Sequence, residues 1–212
     1  MSAGDGRVRE ALRAWRETGA PEAEANFLAA RMRTGSLAED QLSLAVYLGH
    51  PAALICASAE RDSGSQAAAR ATLPTYGWAY GLKAWGFPVT LRVALLGVQI
   101  AKERWPALAE LEDRLGALVQ ATTTWLSDEA ALSEDLTWSF VAGDWGEFPW
   151  GQWLGRELHN ARPIEWREPA PGRNAASLIA SLVHRGVAED EVRGRVRAAL
   201  VSWALGPEHA GG

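Results

Sequence analysis

The stretch that decides the fold is "PVTLRVALLGVQIAKERW", Pro88 to Trp105. Val89, Val93, Leu96 and Ile100 form one apolar stripe at helical spacing, and Leu91, Leu95 and Val98 form a second. The apolar core of this run has strand-like composition, but its continuation into "AKERW" gives a length that suits a helix. A helix apolar on two faces belongs in the middle of a domain. Pro106 then opens an amphipathic helix in which Leu108, Leu111, Leu115, Leu118, Thr122 and Leu126 step by three and four, with Glu110, Asp113 and Arg114 outside.

The same grammar extends towards both ends. Asp5 is a candidate cap for Val8, Leu12 and Trp15, and Gly19 stops that helix. Pro21 opens a second helix, which carries Phe27, Leu28 and Met32 inward. Ser36 with Glu39 has the capping-box spacing ahead of Leu44 and Leu48, and His50 with Pro51 marks a break and a restart. Asn174 is expected to cap a helix bearing Leu178, Leu182 and Val183, and a last helix buries Val192, Val196, Ala199 and Trp203. The tail after Gly206 is expected to be disordered, with no structural part for His209.

The predicted fold is therefore all-α, built of antiparallel helix pairs in a bundle or solenoid-like stack, HEAT- or TPR-like in packing but without a repeat signature. A chain of 212 residues is expected to form one helical domain, with subregions at 5–59 and 75–206 on either side of a polar stretch from Glu60 to Pro74.

One segment has a familiar look. "EANFLAARMRTGSLAEDQLSLAVYLGHPAA", Glu24 to Ala53, resembles a segment of uncharacterised helical proteins from high-GC bacteria, in which a helix ends in Tyr47, Gly49, His50, Ala52 and Ala53. The resemblance implies an all-helical fold and carries no transferable activity.

Composition narrows the partners. The net charge is −5, with 48% hydrophobic and 22% charged residues, so the long-range field repels nucleic acid and anionic membranes. Arg193, Arg195 and Arg197 alternate with acids and read as a helix face. No leader-like N-terminus and no sufficiently long uncharged apolar run is evident, which gives an expectation of a cytoplasmic protein with no membrane span. Cys56 is a lone cysteine in apolar surroundings, expected to be a buried structural thiol in a reducing compartment.

Catalytic patterns are missing. His50, His159, His184 and His209 fall in unrelated contexts and make no zinc-binding spacing. Neither a nucleophile elbow nor a phosphate loop occurs. No catalytic residue, metal ligand or cofactor is therefore assigned from sequence.

The best candidate site is "WSFVAGDWGEFPWGQW", Trp138 to Trp153, with four indoles among acids and glycines. Trp145, Trp150 and Trp153 with Asp144 and Glu147 are the candidate ligand- or partner-binding residues, since indole faces supply apolar area and carboxylates supply orientation. Trp138, like Trp15, Trp125 and Trp203, is expected in the core. The leading functional expectation is a non-catalytic protein-interaction module, whether adaptor, accessory subunit or toxin-neutralising partner. The alternatives are a small-ligand binder or hydrolase-type enzyme with a tryptophan-rich acidic pocket, to which Glu157 and His159 would add polar groups, and a structural homo-oligomer.

Overall fold

The computed structural model describes residues 3–58, 73–128, 134–145, 149–161, 171–206 and 209. Helix follows helix, with no strand among the described residues, so the fold is all-α. The chain divides into two compact units. One comprises Met1–Thr72 with Arg197–Gly212, and the other Leu73–Val196.

The first unit contains α1 (Ala3–Thr18), α2 (Pro21–Arg33), α3 (Glu39–Tyr47) and α4 (Pro51–Ser58), together with the end of the last helix. α1 packs on α2, and α4 packs on both α2 and α3. Their core holds Phe27, Leu28, Leu37, Leu44, Leu48 and Ala52. Pro21 opens α2 as expected, but α3 starts differently: its N-cap is Ala38, whose N–H donates to Gln41 Oε1 at 2.9 Å. Ser36 is committed elsewhere, its hydroxyl donating to the Arg31 carbonyl. Gly49 at φ 78° makes the turn that delivers His50 to the start of α4, where His50 Nδ1 accepts the Ala53 N–H at 3.4 Å.

The second unit contains α5 (Thr75–Gly81), a 3-10 turn (Leu82–Trp85), α6 (Gly86–Arg104), a second 3-10 turn (Pro106–Leu111), α7 (Glu112–Ser127), α8 (Glu134–Ala142), α9 (Trp150–Asn160), α10 (Arg173–His184) and the first part of α11 (Glu189–Leu205). α6 is central, touching α7, α9 and α10. Val89, Leu91, Val93, Ala94, Val98 and Ile100 are buried, whereas Leu95 and Leu96, expected in the two apolar stripes, are half-buried. A Cβ on Gly97 would lie 2.0 Å from Leu178 Cδ2, so the bare backbone there permits the close approach of α6 and α10.

Contrary to the expectation of no membrane span, Thr75–Arg104 is long and apolar enough to cross a membrane, with a mean hydropathy of 1.4 over its most apolar 18 residues. More than half of those 18 residues are buried inside the fold, where α6 serves as the core helix.

The charged face expected along α11 is partly a set of anchors. Arg193 is buried, donates to the Leu73 carbonyl, pairs with Glu189 at 2.5 Å and lies 5.3 Å over the Trp78 ring. Arg195 grips both oxygens of Glu103. Trp203 is exposed, contrary to expectation, because the buried stripe runs through Val192, Val196, Leu200, Val201 and Ala204. Cys56 is half-buried.

The Arg195 hydrogen bond holds the Glu103 carboxyl below its ordinary value of 4.5, and the Thr75 hydroxyl does the same for Glu189. A lowered folded value means that the unfolded chain binds more protons, so this stabilisation is complete above about pH 4.5 and fades as pH falls through the folded values. Melting temperature should therefore drop between pH 5 and 3, and a Glu103→Gln/Glu189→Gln variant should show a shallower drop. Parallel curves for the two proteins would contradict this.

Candidate functional site: a cationic aromatic cleft

The four indoles of the Trp138–Trp153 stretch separate into two pairs. Trp145 is buried, its Nε1 donating to the Phe140 carbonyl at 2.9 Å. The ring lies on Gly151, where a Cβ would come within 2.1 Å of it, and the Arg114 guanidinium covers it at 4.8 Å. Trp150 is more deeply buried. Its ring stacks on Trp105 at 4.7 Å and its Nε1 donates to Ser181 Oγ at 2.8 Å. Both are structural side chains, and neither presents a face to a ligand.

Trp138 and Trp153 form the other pair. Trp138 is 55% exposed, against the expectation that it joins the core, and Trp153 is half-buried. Both line a cleft of about 1050 Å³ within the second unit. Asp144 is exposed, its carbonyl accepts from Arg114, and it does not line this cleft. Glu147 lies outside the described residues.

Other elements complete the cleft. Tyr80 comes from α5 and Lys83 from the turn after it, with Lys83 Nζ 3.9 Å above the Tyr80 ring centroid. On α9, Trp153, Arg156 and His159 recur every three residues and so share a face. His159 packs against α8, its Nδ1 within 3.2 Å of Thr137 Oγ1 and its ring beside Trp138. Arg173 and Asn174 come from the first turn of α10 and Ser177 from the next, and the N-terminal dipole of that helix adds positive potential. Among the described residues lining the cleft none is acidic, so Trp153 sits among cations where an acidic pocket was expected.

Glu157 holds these walls together from behind. It is fully buried, and its Oε1 accepts both the Thr90 hydroxyl of α6 at 2.7 Å and the Gly172 N–H at 2.6 Å. Gly172 is the N-cap of α10 at φ 93°, and a Cβ there would come within 2.8 Å of Lys83 Cβ. Asn174, expected as the cap, lies inside α10, and Glu157 holds the N–H of the actual N-cap, Gly172, from a neighbouring helix. One carboxyl group thereby fixes α6, α9 and the start of α10 relative to one another.

In the first unit, sequence reasoning missed a cluster. His209 is buried and joins Glu24 and His50, its Nδ1 2.6 Å from Glu24 Oε1, with His50 Nε2 3.4 Å from the same oxygen. Burial is the main cause holding the His50 imidazole below its ordinary value; Glu24 opposes this and His209 adds to it. These residues are 26 and 159 positions apart along the chain, so no spacing rule could find them.

No protein-family model, curated protein or solved structure matches the chain.

Proposed function

We propose that the protein is a non-catalytic binding module, of the adaptor, accessory-subunit or toxin-neutralising kind, whose cleft receives an acidic segment of a partner protein. The observation that carries this reading is the grouping of Lys83, Arg156 and Arg173 with Tyr80, Trp138 and Trp153 around one open cleft. Guanidinium groups bind carboxylates in a fixed fork, while indole and phenol faces take an apolar or aromatic neighbour. Tyr, Trp and Arg are also the side chains that dominate interface energetics. A local positive site on a chain of net charge −5 discriminates by position, because the rest of the surface repels the same ligand. The half-buried lone Cys56 fits a reducing compartment such as the cytoplasm.

The test is charge reversal. Arg156 and Arg173 are exposed, so Arg156→Glu/Arg173→Glu should fold normally, and it should bind peptides that carry Asp or Glu beside an aromatic residue about 100-fold more weakly. Wild-type binding should weaken with salt, as exposed ion pairs do. Unchanged affinity in the reversed variant would reject the cleft as the binding surface.

The cleft volume also favours a second reading, a small aromatic anion, since about 1050 Å³ lies at the upper end of small-molecule sites. Calorimetric titration with mononucleotides and aromatic carboxylates separates the two. Tight binding of a small anion with no peptide binding would select the second reading.

A further inference from the structure

We propose that Glu24, His50 and His209 of the first unit form a binding site for a divalent transition-metal ion of the zinc class, independent of the cleft. One ligand atom from each residue lies within 4.8 Å of the other two. Two imidazole nitrogens and a carboxylate oxygen are a donor set suited to zinc, cobalt or nickel rather than calcium or magnesium, which prefer all-oxygen shells.

The three ligands are held from outside. His209 stacks on Trp15 at 4.5 Å between ring centroids, and Trp15 in turn stacks on Phe27 at 5.5 Å, which fixes the imidazole plane. His50 is set by Gly49 and Pro51 at the start of α4, with its Nε2 directed at Glu24. Glu24 projects from the first turn of α2. Such orienting contacts are what a metal ligand needs.

The distances say what must change on binding. Tetrahedral zinc with bonds of about 2.0–2.1 Å places its ligand atoms roughly 3.3 Å apart. The Glu24–His50 separation of 3.4 Å already satisfies this, while the Glu24–His209 separation of 2.6 Å must open by under an ångström. The ion takes the place of the imidazole N–H groups that face Oε1, so each neutral ring keeps its single proton on its other nitrogen. His50 must then carry its proton on Nδ1, and the long Ala53 N–H contact is given up. The Glu24 and His50 side chains keep 13% and 16% exposure against 1% for His209, which leaves the fourth position to water on their side. An ion there would tie the end of the chain to α2 and α4, and would stabilise the first unit by mass action.

The full chain, stripped with chelator and dialysed, should be titrated with zinc chloride by calorimetry and with cobalt chloride by visible absorption. The expected result is one ion per chain, a tetrahedral cobalt spectrum, and a rise in melting temperature with zinc. Glu24→Gln keeps a hydrogen-bonding oxygen and so preserves the fold, yet it should weaken zinc binding at least about tenfold; His50→Gln and His209→Gln should weaken it about a hundredfold. Circular dichroism of each variant establishes that it is folded before titration. Baseline heats with folded wild type, or undiminished zinc binding in the folded triple variant, would overturn the proposal.

Discussion

Trp150→Ala should lower the stability of the 73–196 unit by roughly 3–5 kcal/mol, the range for truncating a buried aromatic side chain. Trp150 is 1% exposed, stacks on Trp105 at 4.7 Å and donates to Ser181 Oγ at 2.8 Å, so truncation opens a cavity and strands a hydroxyl partner. For a chain of this size that corresponds to a fall in melting temperature of roughly 6–20 °C. Trp138→Ala, at a position 55% exposed, should change stability by no more than about 0.5 kcal/mol. Urea denaturation followed by circular dichroism compares the two. Equal losses would mean that the indoles do not divide between core and cleft as described.

The second large effect is expected at Glu157. Glu157→Leu removes the acceptor of both the Thr90 hydroxyl and the Gly172 N–H, leaving buried donors unsatisfied at about 1–3 kcal/mol each. The Thr90 hydroxyl retains a weak alternative in the Phe87 carbonyl at 3.4 Å, so a total of roughly 2–4 kcal/mol is expected. Glu157→Gln keeps an oxygen at the Oε1 position and should cost under about 1 kcal/mol. Because Glu157 fixes the α10 start that carries Arg173, the leucine variant should also lose peptide binding at temperatures where it remains folded. A glutamine variant as unstable as the leucine variant would show that the two hydrogen bonds are not what Glu157 contributes.

The all-helical fold is legible where periodicity is unambiguous. The stripes of α6 and the stepping of α7 exist because buried helices need apolar groups on particular faces, and punctuation by Pro21 and Gly49 follows from backbone chemistry, whereas Pro106 opens a 3-10 turn and α7 starts only at Glu112. Errors arise where hydrophobicity alone assigns a face. In α8 the buried positions are Thr137 and Phe140, and Thr137 is tolerated there because its hydroxyl meets His159. That choice turns Leu136 and Trp138 outward. In α11 a stripe through Ala199 and Trp203 was as plausible on spacing as the observed one through Leu200, Val201 and Ala204, and only packing distinguishes them.

The candidate site was half legible for a related reason. Tryptophan enrichment marked the right stretch, and Trp153 does line the cleft. Its charged partners are on other elements: Lys83 is seventy residues earlier and Arg173 twenty residues later. The acids next to the indoles in sequence suggested an acidic pocket, whereas Asp144 is held outside the cleft by the contact of its carbonyl with Arg114. Proximity along the chain is not proximity in space here. His209 illustrates the same point, since a tail position acquires a buried role only through Trp15 and Glu24.

The central claim is that the cleft between Tyr80, Lys83, Trp138, Trp153, Arg156 and Arg173 is the binding surface. The most direct measurement is binding to an immobilised array of acidic-aromatic peptides, with wild type and Arg156→Glu/Arg173→Glu side by side at two salt concentrations. The account predicts wild-type binding that weakens with salt and is lost on charge reversal. Peptide binding that survives charge reversal and is indifferent to salt would contradict it.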